Sequence, residues 1–105
     1  MRELSPLEVQ ALLGSPEPPQ FIDVREPWEL DTAAVAGALP MPMGQVPTRL
    51  AELDPARPIV VMCHTGRRSA QVGYLLERSG FSQVINLAGG IEAWSTDVDP
   101  TVPHY

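Results

Sequence analysis

The residues best suited to chemistry stand together at Cys63, His64, Thr65, Gly66, Arg67 and Arg68, directly after the apolar run Pro58 to Met62. A cysteine at the C-terminal end of a buried strand lies at the edge of a parallel sheet where ligands bind. A loop curling from strand end into helix start directs backbone N–H groups toward one point, and the two arginines add positive charge. Amide dipoles, a helix N-terminus and guanidinium groups all favour the thiolate of Cys63 over its thiol. A stabilised thiolate is a nucleophile, and the donors that stabilise it also hold an incoming anion. The loop therefore suits attack on the outer sulfur of a small anionic sulfur donor. Gly66 gives it room for a positive φ or a close amide approach.

Other readings of the same residues stand beside this one. A free cysteine after an apolar strand also serves as a small buried hydrophobe, and Arg68 could pair structurally with Asp23 or Glu26. Phosphate-ester hydrolysis is the competing chemistry for such a loop. Resemblance to cysteine phosphatases requires an arginine six positions after the cysteine, where this chain has Ser69. Its arginine falls one residue earlier, so the loop is tighter and suits a compact sulfur donor better than a phosphorylated side chain. No third residue completes a Cys–His–Asp arrangement. His64 is read as a rim contact, and His104, in the closing residues, is expected to fray.

Composition removes several alternatives. The 105 residues carry 13 acidic side chains against seven arginines and no lysine, a net charge of -6. That field repels nucleic-acid backbones and anionic lipid, so neither nucleic acid nor membrane is an expected partner. Without lysine there is no side-chain Schiff base, and an anion site must use arginine, histidine or backbone amides. One cysteine forms no internal disulfide and no multi-thiolate metal site, so no metal is expected. No apolar leader accompanies Arg2, Glu3 and Glu8, and nowhere do 18 apolar residues run together, which predicts a soluble, cytoplasmic protein. A chain of this length makes one domain, 1–105, with one core and no large cofactor cavity.

Holding the loop takes a strand before it and a helix after it. Pro58 to Cys63 lacks polar alternation, which predicts a central strand covered on both faces. Ser69 is expected to open a helix in which Ala70, Val72, Gly73, Leu75 and Leu76 keep helical spacing up to Gly80. Ser5, Pro6 and Glu8 form a capping box for a helix from Pro6 to about Leu13, with Leu4 packed on Val9 and Gly14 as its stop. Residues 20–24 read as a buried strand and Glu26 to Asp31 as one or two helical turns. Ala38 to Met43 is extended but kept from a central place by Pro40 and Pro42. Pro47 to Leu53 reads as helical, Gln83 to Leu87 as a short strand, and the segment from Gly89 and Gly90 as a turn into a last helix. Trp28 and Trp94 are read as packing residues, and the tail from Ser95 as irregular surface chain. This alternation predicts an α/β fold with a mainly parallel central sheet flanked by helices on both faces.

With IDVREPWE (22–29) upstream and NLAGGIEAW (86–94) downstream, the CHTGRRS segment resembles the rhodanese family of sulfurtransferases, particularly its bacterial single-domain forms, over nearly the whole chain. The resemblance implies a rhodanese-like fold and a ping-pong reaction. Cys63 takes the outer sulfur of thiosulfate as a persulfide and passes it to cyanide or to a low-molecular-weight or protein thiol, thioredoxin among them, with no metal or organic cofactor. His64, Thr65, Gly66, Arg67 and Arg68 would surround the persulfide, one arginine receiving the donor. Asp23 and Arg25 would form a charged pair bracing the sheet edge. The chain departs from the family at Ala33, Ala34 and Val35, where a Gly-His-Ile triplet is usual.

Three functions follow from the loop. The first is sulfur transfer. A non-enzymatic binding or regulatory module on the same fold is the second, and the intact Cys63 loop argues against it. A thiol redox or arsenate-handling enzyme is the third, and with no second cysteine it would need an external resolving thiol.

Overall fold

The apolar run ending at Met62 is covered on both faces. In the computed structural model, which describes residues 1–105, Ile59–Met62 (β4) sends Ile59 and Val61 into one core and Val60 and Met62 into another. Each such buried side chain contributes about 1.5–3 kcal/mol. Four more strands join it: Arg2–Leu4 (β1), Gln20–Asp23 (β2), Leu39–Pro40 (β3) and Val84–Leu87 (β5). The sheet order is β1-β5-β4-β2-β3, and every pairing is parallel. β3 lies at an edge, where Pro40 costs no interior ladder bond.

Helices cover both faces. Pro6–Leu13 (α1) and Gly90–Asp97 (α5) pack on the face of Phe21, Val60 and Ile85, through Val9, Ile91 and Trp94. Val46–Arg49 (α3) and Arg67–Arg78 (α4) cover the face of Ile22, Val61 and Val84, through Val46, Val72 and Leu76. Pro27–Thr32 (α2) stands beside the end of β2. No helix is long and apolar enough to cross a membrane.

The capping box of α1 forms as expected: the Glu8 amide donates to Ser5 Oγ, and Glu8 Oε1 accepts from the Ser5 amide. Leu4 and Val9 share one core. Four expectations are revised. The sequence reading misses β1, whose Arg2 and Glu3 are exposed because an edge strand needs only one buried side chain, Leu4. The 47–53 helix is a single α turn with 3₁₀ turns on either side. α4 starts at Arg67, two residues before Ser69. Trp28 is 64% exposed, whereas Trp94 is buried beside Phe21.

Candidate active site

From β2 the chain crosses outward to β3, and from β4 it crosses the opposite way to β5. The C-terminal ends of β2 and β4 therefore border the crevice where the connections diverge, the place at which open parallel sheets bind ligands. The Val24 amide donates to the Met62 carbonyl at 3.0 Å, which sets Asp23–Arg25 beside the cysteine loop.

Cys63 follows β4 and is 1% exposed. The Gly66 amide donates to Cys63 Sγ at 3.1 Å, and Ser69 Oγ lies 3.2 Å from the same sulfur. Gly66 makes this return possible: at φ 102° it is the N-cap of α4 in the left-handed region, which glycine enters without a Cβ penalty. Starting the helix there moves Arg67 and Arg68 out of the expected loop and into the first helical turn, and brings Ser69 round to the sulfur. On its other side the loop rides on α5, where the Ile91 amide donates to the Cys63 carbonyl at 2.9 Å and the Glu92 amide to the His64 carbonyl at 3.1 Å. Gly89 and Gly90, at φ 77° and 59°, form the turn that brings α5 this close.

The two arginines have different roles. Arg68 makes a bidentate pair with Glu29 at 2.7 and 2.8 Å, not with Asp23 or Glu26. Asp23 is already held by buried Arg25, whose Nη2 reaches Asp23 Oδ2 at 2.7 Å and the Ala33 carbonyl at 2.8 Å. Glu26 sits at the N-cap of α2, and its amide donates to Glu29 Oε2. Arg67 is exposed and makes no ion pair. Of the two, it is the guanidinium without a carboxylate partner. The Asp23–Arg25 pair expected from the sequence is present, and it also braces the segment of the Ala33-Ala34-Val35 departure through the Ala33 carbonyl. Thr65 is exposed at the tip of the loop.

The closing residues turn back onto the site. Tyr105 Oη donates to Glu29 Oε1 at 2.9 Å and accepts from Arg25 Nη1 at 3.0 Å, linking the two arginine–carboxylate pairs. Its ring stacks on His64 at 4.0 Å and meets Trp28 edge-on at 6.3 Å. His104 Nδ1 lies 2.8 Å from Glu92 Oε1, and Ser95 Oγ donates to the Val102 carbonyl. His64 Nε2 is 3.4 Å from Glu92 Oε2 but not aligned for a hydrogen bond. The expected surface tail is thus pinned, and its last residue forms part of the rim.

Hydrogen bonds from Arg68 outweigh burial and hold the Glu29 carboxyl at about 2, below its ordinary 4.5. The Glu29 bonds in turn hold Arg68 above the usual guanidinium value. A carboxyl lowered in the folded state contributes stability that is fully present above about pH 4.5 and is lost as pH falls toward 2. The contribution is about 2 kcal/mol after a discount for the solvent that reaches Arg68. Glu29→Gln is therefore expected to lose about that much stability at neutral pH and to flatten the acid limb between pH 4.5 and 2. Urea unfolding of both proteins across that range checks it, and parallel acid limbs would contradict it.

Of the residues singled out in the sequence, the structure brings Cys63, His64, Gly66, Arg68, Asp23 and Arg25 close together. The sequence reading misses Glu29, Ser69, Asn86 and Tyr105 as members of the site. Two of these left signals: Ser69 stands at the sixth position after the cysteine, and Asn86 is the one polar residue in the buried strand VINL. Glu29 and Tyr105 left none, because their partners are 39 and 80 residues away.

Comparison with known proteins agrees with this geometry. The profile of the Rhodanese-like domain matches residues 5–97. The chain is 41% identical over 90 residues to the Rhodanese-like/PpiC domain-containing protein 12, chloroplastic, of Arabidopsis thaliana, covering 82% of this chain and 30% of that protein. It therefore spans under a third of that relative's length. It is 32% identical over 102 residues to a sulfurtransferase of Allochromatium vinosum, covering 97% of this chain and 95% of that one. A crystal structure of a rhodanese-like domain protein from Staphylococcus aureus superposes with a TM-score of 0.85 at 28% identity, over 100% of this chain and 99% of the other.

Proposed function

Because this chain belongs to the rhodanese-like domain family, we propose that it is a sulfurtransferase that carries sulfane sulfur on Cys63. The observation that carries the proposal is the convergence of the Gly66 amide and the Ser69 hydroxyl on a buried sulfur at the switch point of a parallel sheet. A full-length relative described as a sulfurtransferase supports it.

The Cys63 thiolate attacks the outer sulfur of a small anionic donor, thiosulfate in the simplest case. A sulfur–sulfur bond forms to Sγ, the donor's own sulfur–sulfur bond breaks, and sulfite leaves with the electron pair. The negative terminal sulfur of the persulfide then needs donors, and the Gly66 amide already on Sγ supports this, with the unpaired Arg67 guanidinium as the charge assigned to the incoming anion. Cyanide attacks that sulfur to give thiocyanate, or a thiolate attacks it to give a new persulfide, and Cys63 leaves as thiolate. The two half-reactions need no cofactor. Arg68, committed to Glu29, shapes the loop and adds positive potential without opening its pair.

Incubating the protein with thiosulfate, removing excess donor and recording the intact mass is expected to show one added sulfur atom on Cys63, discharged by cyanide. An unchanged mass with thiosulfate and with low-molecular-weight persulfides would leave the binding-module reading in its place.

A further inference from the structure

Asn86 is 2% exposed in a strand whose other residues are apolar. Burying an amide without partners costs about 1–3 kcal/mol, so its bonds account for its presence. Asn86 Nδ2 donates to the Gly66 carbonyl at 3.0 Å and to both carboxylate oxygens of Glu3, at 3.1 and 2.9 Å. Its Oδ1 lies 2.5 Å from Ser69 Oγ. The Gly66 amide donates to Cys63 Sγ, the Ser69 hydroxyl lies beside the sulfur with its single proton given to Asn86 Oδ1, and both residues are held by this one side chain. Glu3, directly opposite Asn86 in the parallel register of β1 and β5, fixes which end of the amide faces Ser69.

Taking Cys63 as the working thiol of the sulfurtransferase reading, we infer that Asn86 is a positioning residue for the sulfur, with Glu3 as its outer anchor. By gripping the Gly66 carbonyl, Asn86 turns that residue's amide toward Sγ. By meeting the Ser69 hydroxyl, it keeps that oxygen beside Sγ. Neither Asn86 nor Glu3 touches the reacting atoms. Their effect is on how well the loop is organised to receive negative charge, the kind of preorganisation that sets thiol reactivity.

The test uses iodoacetamide, which reads the thiol without any sulfur donor. The rate of Cys63 alkylation is followed by intact mass from about pH 5 to about pH 10 in the wild type, Asn86→Ala, Asn86→Asp, Glu3→Gln and Glu3→Ala. Both Asn86 variants are expected to shift the midpoint upward by about one pH unit, and to slow persulfide formation from thiosulfate about tenfold. Glu3→Gln keeps an oxygen for Asn86 and is expected to follow the wild type, while Glu3→Ala shifts upward with the Asn86 variants.

An upward shift in Asn86→Asp alone would report only its added charge and overturn the inference. An unchanged profile in folded Asn86→Ala would leave Asn86 a purely structural residue. A downward shift would mean that Asn86 draws the Ser69 proton away from the sulfur, and would overturn the inference. If the Asn86 variants fail to fold, the Glu3 pair decides: equal profiles for Glu3→Gln and Glu3→Ala overturn the anchor. A wild type that never gains sulfur overturns the sulfurtransferase reading, while the alkylation profiles still decide this one.

Discussion

Cys63→Ser is expected to gain no sulfur from thiosulfate and to transfer none to cyanide, a loss to the uncatalysed background. The serine hydroxyl is a far weaker nucleophile at neutral pH than a thiolate, and oxygen cannot form the sulfur–sulfur bond on which the two half-reactions depend. The fold should tolerate the change. Serine differs from cysteine by one atom, and the site already offers it the Gly66 amide and the Ser69 hydroxyl. The expected stability cost is about 1 kcal/mol, set by placing a hydroxyl in the apolar layer of Val61 and Val72. Intact mass, thiocyanate formation and urea unfolding on the same preparation make the comparison. Residual transfer above background would move the nucleophile elsewhere, and with one cysteine in the chain it would end the persulfide mechanism.

Gly90→Ala is expected to damage both stability and activity more than any other single methyl group near the site. A Cβ at position 90 would lie 2.5 Å from the Cys63 carbonyl oxygen and closer still to that of His64. These are backbone atoms that cannot swing aside. The residue is also at φ 59°, where an L side chain costs about 1–2 kcal/mol before any clash is counted. Overpacking adds about 1–3 kcal/mol, so a total near 3 kcal/mol and a Tm lower by about 10–20 °C are expected. Relief of the clash pushes the Cys63–His64 backbone away from α5, and a displacement of about 1 Å is enough to slow persulfide formation about 100-fold. Gly37→Ala is the control, since Gly37 has φ 89° with open space around its missing Cβ. It carries the conformational cost alone and leaves activity unchanged. Equal losses in Tm and activity for the two variants would refute the argument that α5 fixes the sulfur.

Where the chain's own local signals agreed with its packing, the architecture could be read directly. The run Ile59–Met62 told its story because a strand buried on both faces has no reason to alternate polarity. The box at Ser5 and Glu8 told another, because its partners are three residues apart. Cys63 stood out by chemistry and Gly66 by its conformational freedom. Trp28 misled because a large aromatic in a short helix normally anchors it, yet here it faces outward to meet Tyr105. α4 starts ahead of its apolar spacing because Arg67 and Arg68, polar enough to look like loop, are good helix formers. The partners of Arg68 and Asn86 were hidden for a different reason. Their pairing depends on where β1, α2 and the closing residues come to rest, and no local pattern encodes that.

The long reach of these polar contacts also bears on when the site comes into being. Glu3 meets Asn86 across 83 residues, and Tyr105 meets Arg25 across 80. Closing loops of that size is entropically costly and is repaid only once the intervening sheet exists. A chain that has formed α4 and the β2–β4 pair would already hold its hydrophobic layer, but not the polar frame around Cys63. The polar frame that meets the sulfur is thus a property of the completed fold, and a partly folded chain carries Cys63 without it.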